Sequence, residues 1–259
     1  MSELTTHQLS VSIGPKAILR DISFSASAGQ VTAIVGPNGS GKSTLLKALT
    51  GEISATGDVV LNGSDVATAT PKELADMRAV LPQSTPMSFP FQVLEVVRLG
   101  LRFRGVGSEE AAREALVRVG LQGYENRFYQ ELSGGEQQRA QLARVLCQVW
   151  SPHATTDPGW LFLDEPVSSL DIAHQLQVMQ IARDFADTGG GVLAVMHDLN
   201  LSALFADKVL VMHNGQIAGA GSVQETLRND LLSDVYGCRI ESCQVPPSES
   251  WFILPHLSQ

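Results

Sequence analysis

The chain has little of what would make it secreted, cross-linked, membrane-spanning or nucleic-acid-coating. Its three cysteines, Cys147, Cys238 and Cys243, are odd in number and contain no CxxC pair. Neither a disulfide framework nor a structural zinc site is expected from them, and reduced thiols are. Nowhere does the sequence reach the ~18 consecutive apolar residues of a spanning helix, so no segment crosses a bilayer unaided. The opening Met1-Ser2-Glu3-Leu4-Thr5-Thr6-His7 is acidic and polar with no apolar run behind it, which does not read as a secretory leader. The chain is therefore expected to stay in the cytoplasm. Basic charge is also short: 18 Lys and Arg against 27 Asp and Glu give a formal net charge of −9, with no basic cluster. Non-specific nucleic-acid binding needs such a cluster to release counterions, so no nucleic-acid partner is expected.

What is present suits a globular protein. With 259 residues, 44% hydrophobic and 17% charged, the chain can form one large α/β domain or two small ones, and disorder is excluded. Val31-Thr32-Ala33-Ile34-Val35, Trp160-Leu161-Phe162-Leu163 and Val192-Leu193-Ala194-Val195-Met196 are short apolar runs bounded by Gly or Pro. Such runs suit strands covered on both faces, as in a parallel sheet with helices either side. A doubly wound α/β core follows. From Ser84 the pattern changes: a Pro-rich stretch to Pro90 gives way to helix formers as far as Glu131, clearest at Glu109 to Leu116, which reads as a helical insertion. Asp207 to Ile217 reads as a hairpin, because Asn214-Gly215 supplies the positive-φ residues of a type I′ turn, leaving His213 as a turn-flanking residue.

Three motifs carry chemistry. Gly36-Pro37-Asn38-Gly39-Ser40-Gly41-Lys42-Ser43-Thr44 follows an expected strand and precedes the helix-like Leu45 to Leu49, the context that a GxxxxGK[ST] phosphate loop needs. Its glycines let backbone N–H groups approach phosphate oxygens, the helix N-terminus adds partial positive charge, and Lys42 reaches the β/γ-phosphates. In an acidic chain this local field has to attract the anion. Leu163-Asp164-Glu165-Pro166 closes an apolar strand with two carboxylates; Ser43 would ligate Mg²⁺ through its hydroxyl and Asp164 would hold it directly or through water. Between the two lies Leu132-Ser133-Gly134-Gly135-Glu136-Gln137.

That ordered trio resembles the ATP-binding-cassette (ABC) ATPases, over almost the whole chain. The resemblance implies an α/β P-loop NTPase (RecA-like) nucleotide-binding domain with a helical insertion subdomain and an N-terminal antiparallel β element. It implies one domain over 1–259, with a catalytic core at 1–83 and 132–230, a helical subdomain at 84–131 and a C-terminal extension at 231–259. It further implies ATP hydrolysis with Mg²⁺. Glu165 then stands as the general base, a role worth about 10² to 10⁴ in rate. Gln83, in Leu81-Pro82-Gln83-Ser84, matches the glutamine that senses Mg²⁺ and γ-phosphate, and His197, in Met196-His197-Asp198, matches the switch histidine. Ser133, Gly134, Gly135 and Glu136 match the signature that caps ATP held by a second cassette, opening a helix expected over Gln137 to Leu146. Ser168-Ser169-Leu170-Asp171 looks like the D-loop, with Asp171 at the dimer seam. Because the chain holds one phosphate loop and one signature, the resemblance implies two copies closing on two ATPs.

Ile13 stands where the family often places an aromatic residue against adenine. Stacking is therefore expected to be absent, with a modest loss of adenine affinity and base selectivity, since an aromatic pair is worth about 0.5–1.5 kcal/mol beyond area burial. Phe89 to Gly100 and His197 to Ala203 resemble the importer branch that serves iron-siderophores, cobalamin and heme. The extended Trp150 to Gly159 and Leu170 to Gln175 look most like its heme-importing members, although Ser151 to Gly159 reads equally as a plain surface loop. This implies a peripheral subunit on the cytoplasmic face of the inner membrane, powering heme uptake through a separate permease dimer, with a periplasmic binding protein as an indirect partner. Ferric-siderophore or cobalamin import, or a soluble assembly-factor ATPase, are the alternatives. His153, His174, His213 and His256 are read as non-ligands, because heme ligation needs convergence in a hydrophobic pocket. The tail after Leu231 is expected to return a final strand at Trp251 to Pro255 to the core.

Overall fold

The computed structural model describes residues 2–85, 87, 89–101, 109–150 and 159–243. In chain order the elements begin with β1 (Glu3–Ile13), β2 (Lys16–Ser27), β3 (Val31–Val35), α1 (Lys42–Leu49), β4 (Thr56–Leu61), β5 (Ser64–Asp65), α2 (Pro71–Met77) and β6 (Arg78–Leu81). The insertion contributes α3 (Val93–Leu101), α4 (Glu109–Arg118) and a 3₁₀ turn at Tyr129–Glu131. Then come α5 (Gly134–Val149), β7 (Trp160–Asp164), α6 (Ile172–Asp187), β8 (Gly191–Val195), α7 (Leu199–Phe205), β9 (Lys208–His213), β10 (Gln216–Gly221), α8 (Val223–Thr226) and α9 (Asn229–Tyr236).

Two sheets form. The larger has the order β10-β9-β3-β8-β7-β6, parallel throughout except for β10, and the smaller is antiparallel in the order β2-β1-β4-β5. Every residue of β3, β7 and β8 is buried, as their unbroken apolar runs require. Their side chains alternate between two apolar clusters, the period-2 consequence of the pleat. Val31, Ala33, Leu161, Leu163, Val192 and Ala194 face a cluster shared with α3 to α7. Ile34, Trp160, Phe162, Leu193 and Val195 face one shared with α1 and the antiparallel sheet. Trp160 Nε1 donates to Asn62 Oδ1 at 2.9 Å, fastening the smaller sheet to the larger.

The hairpin has the expected turn: Asn214 and Gly215 both take positive φ, 48° and 77°, and Gln216 pairs with His213. His213 is accordingly the last residue of β9, its Nε2 beside Asn214 Nδ2 at 2.8 Å. In the insertion α3 and α4 pack on α5, and α3 approaches so closely at Gly100 that an added Cβ would lie 2.0 Å from the Arg144 carbonyl oxygen. The helix after the signature begins earlier than expected, at Gly134, and runs to Val149. The cause is a capping box: Ser133 accepts from the Glu136 N–H while the Glu136 carboxylate accepts from the Ser133 N–H at 2.8 Å. No helix among the described residues is long and apolar enough to cross a membrane. The stretch 151–158 with His153, and the tail from 244 with the expected strand at Trp251 to Pro255 and His256, lie outside the described residues.

Candidate active site

The phosphate loop hangs between the buried end of β3 and α1. Gly41 caps that helix in the left-handed region, φ 104°, without any side-chain cap, so the first-turn N–H groups stay open to an anion. Lys42 folds back over the loop, its Nζ donating to the carbonyls of Gly36 at 2.8 Å and Pro37 at 3.1 Å. Burial lowers the Lys42 pKa, and the carboxylates of Glu165 and Asp164 oppose that effect. Asn38 and Gly39 are exposed at the loop tip, Ser40 is buried and Thr44 half-buried in the first turn of α1. The β9–β10 hairpin supports the loop from behind: the Gly215 N–H donates to the Ser40 carbonyl at 3.0 Å. The buried Tyr236 hydroxyl of α9 sits near the Gly36 backbone.

Beside the loop, Asp164 ends β7 with only 4% of its surface exposed. Ser43 Oγ donates to its Oδ1 at 3.0 Å, uniting the hydroxyl of α1 with the carboxylate of β7. Burial raises the Asp164 pKa and outweighs the Ser43 hydrogen bond that lowers it; the neighbouring Glu165 charge raises it further. A carboxyl group whose pKa is raised on folding works against the fold once ionised, above the usual carboxylate range. Asp164→Asn keeps an acceptor for Ser43 and removes the buried charge. It should therefore melt at a higher temperature than the parent near neutral pH, with the gain vanishing as pH falls through the Asp164 pKa. Thermal melts of both chains across that range check the sign; a variant less stable at neutral pH would contradict it.

Glu165 is the centre of the site. Its Oε1 lies 2.6 Å from His197 Nε2, and its Oε2 accepts from Gln83 Nε2 at 2.8 Å. Gln83 follows β6, Glu165 follows β7 and His197 follows β8, so three neighbouring parallel strands deliver the cluster at their C-terminal ends. Glu165 holds φ at 52°, a left-handed conformation that costs a non-glycine residue about 1–3 kcal/mol and persists where its surroundings hold it. A carboxylate oriented by an amide and an imidazole, next to a hydroxyl–carboxylate pair and a lysine-bearing phosphate loop, is equipped to set a water molecule against a phosphoryl group.

The remaining expected residues lie apart from this cluster. Ser133 and Glu136 are engaged with each other, and no hydrogen bond among the described residues joins Ser133 to Glu136 with the phosphate loop. Gly134 carries open space around it, whereas a Cβ on Gly135 would meet Leu170 Cδ2 at 3.0 Å and the Ser169 carbonyl at 3.2 Å. Asp171 caps α6, accepting from the His174 N–H at 2.9 Å and facing His174 Nδ1 at 2.8 Å. Ile13, 62% exposed, ends β1 at the tip of the first hairpin. Sequence reasoning missed Gln138, whose Nε2 donates to the Glu165 carbonyl at 3.1 Å, and its only sequence signal is adjacency to the signature.

A parallel sheet whose strand ends gather a glycine-rich phosphate loop, a hydroxyl–carboxylate pair and a glutamate held by Gln83 and His197 defines a P-loop nucleotide hydrolase. Within that class the chain belongs to the ABC transporter family, whose model matches residues 19–168. It is similar to the hemin import ATP-binding protein HmuV of Ruegeria sp. (strain TM1040), 57% identical over 261 aligned positions that cover 99% of each chain. It is 55% identical to the protein of the same name from Jannaschia sp. (strain CCS1), covering 99% of this chain and 95% of that one. Among solved structures, a dimeric ATP-binding cassette in a post-hydrolysis state bound to ADP and phosphate superposes with a TM-score of 0.74 at 25% identity, covering 85% of this chain and 98% of the other. The chain is thus an ATP-binding ATPase subunit of an ABC transporter.

Proposed function

We propose that this subunit powers hemin import, working as two copies on a separate integral-membrane permease dimer at the cytoplasmic face of the inner membrane. The observation that carries the substrate is the likeness to hemin import ATP-binding proteins at 55% and 57% identity across 99% of this chain. A periplasmic binding protein would deliver hemin to the permease, so this subunit need not touch it. Its own chemistry is hydrolysis of ATP.

In this reading Gly36 to Thr44 cradle the phosphates, with Lys42 released from the Gly36 and Pro37 carbonyls to reach the β/γ oxygens. Ser43, Asp164 and Gln83 supply hard oxygen donors that fit Mg²⁺, a cation that takes few protein ligands and completes its shell with water and phosphate oxygens. Bound there, the ion would neutralise charge developing on the phosphates. Glu165 takes the proton of the attacking water, and His197 turns from the Glu165 carboxylate toward the γ-phosphate. Ser133, Gly134, Gly135 and Glu136 of one copy close over the ATP of the other, and Asp171 lies at the seam. Residues 84–131 act as a helical subdomain beside a core of 1–83 and 132–230, with 231–259 as an extension, and the Gln83 to Gly100 region carries closure to the permease.

Co-expression with permeases of the heme, siderophore and cobalamin types, followed by reconstitution with the cognate loaded binding protein, tests the substrate. ATPase stimulation confined to the hemin complex is the expected result. Stimulation in a siderophore or cobalamin complex would reassign the substrate, and assembly with none of the permeases would favour a soluble assembly-factor ATPase.

A further inference from the structure

We propose that Gln138 is a positioning residue that ties the signature helix to the base of the same chain, so that engagement of one nucleotide by the signature sets the base at the other. The inference rests on Glu165 as base and on the two-copy arrangement proposed above.

The Glu165 peptide is fastened from several segments. Its N–H donates to the Val195 carbonyl at 3.1 Å, and its carbonyl accepts from Gln138 Nε2 at 3.1 Å, Ser168 Oγ at 3.2 Å and the Ser168 N–H at 3.3 Å. These bonds hold both ends of the Glu165 residue while its φ is the strained 52°, so they fix the Cα from which the carboxylate projects. Ser168 belongs to the same loop and moves with it. Gln138 alone among these partners comes from α5, whose capped first turn is the signature itself. A Cβ on Gly135 would lie 3.0 Å from Leu170 Cδ2 and 3.2 Å from the Ser169 carbonyl, so that first turn runs close beside the same 165–170 loop. The signature and the base are thus parts of one packed unit, although they serve different nucleotides in a two-copy sandwich.

The other half of the Gln138 amide supports a functional reading. Its Oε1 is buried without a hydrogen-bond partner among the described residues, and an unsatisfied buried carbonyl lowers stability. Local costs of this kind collect where a site needs them. Gln138→Met keeps the length of the side chain while removing both the donor and the unpaired oxygen, so it separates positioning from stability.

The experiment uses the subunit assembled with its permease, a fluorescent ATP analogue for binding, melting temperature, and steady-state hydrolysis against ATP concentration. Gln138→Met should melt no lower than the parent and bind the analogue with about the same affinity. Its kcat should fall about 10- to 100-fold, the scale of a misplaced catalytic group, and its cooperativity in ATP should disappear. Because Gln138 acts through Glu165, the same change in a Glu165→Gln background should add little further loss. A kcat within about twofold of the parent, or a loss that adds in full to that of Glu165→Gln, overturns the proposal. A fully active Glu165→Gln enzyme removes the base itself and the proposal with it, a result distinct from failure of Gln138→Met alone.

Discussion

Glu165→Gln should bind ATP as the parent does and hydrolyse it about 10² to 10⁴ times more slowly, which is about 3–5 kcal/mol of barrier. Two effects add in that substitution. The proton acceptor is lost, and the hydrogen-bond pattern around residue 165 has to rearrange. In the parent both carboxylate oxygens face donors, Gln83 Nε2 at 2.8 Å and His197 Nε2 at 2.6 Å. A carboxamide offers one acceptor and one donor, so either the Gln83 amide must flip to present its Oε1 or His197 must present an unprotonated Nε2. The backbone gives no reason for the fold to fail, because Gln is no worse than Glu at φ 52°. Single-turnover hydrolysis with size-exclusion chromatography in ATP separates the outcomes: slow chemistry with a trapped dimer is expected, and full activity refutes the general-base assignment.

The contrast between what the sequence revealed and what it hid follows from the range of the interactions. Strands β3, β7 and β8 are legible because both of their faces are buried, which leaves continuous apolar runs. The phosphate loop, Asp164 and the hairpin at Asn214-Gly215 are legible because local backbone geometry demands particular residues within a few positions. α5 begins at Gly134 rather than at the expected Gln137, although Gly134 and Gly135 are of poor helix propensity. The capping pair Ser133 and Glu136, three apart, is the sequence signal that outweighs them. Other features have no local signature. The left-handed Glu165 looks like any glutamate, Gln138 reaches it across 27 positions, and the crossing at Gly100 depends on Arg144 in another helix. These are tertiary facts, and the first two lie at the site, where its parts are held against local preference.

The phosphate loop shows the same distinction in one comparison, between two glycines that look alike in sequence. Gly36 and Gly39 both hold positive φ, 147° and 78°, so alanine is conformationally disfavoured at each. Their surroundings differ. A Cβ on Gly39 meets nothing within 4 Å, whereas one on Gly36 would lie 2.2 Å from the Met212 carbonyl oxygen. That oxygen belongs to β9, whose hairpin also holds the loop through Gly215 and Ser40, so neither side yields by rotating a side chain. Gly39→Ala should cost about 1–2 kcal/mol of backbone strain. Gly36→Ala adds an overpacking term of about 1–3 kcal/mol and should melt at least ~2 °C lower than Gly39→Ala, at about 2–4 °C per kcal/mol for a domain of this size. Relief comes only by lifting the loop off the hairpin, which moves the Gly36 carbonyl that anchors Lys42 and misplaces the N–H groups that meet phosphate. ATP affinity should therefore fall together with melting temperature at position 36. Equal melting temperatures for the two variants would mean that the hairpin, rather than the loop, gives way.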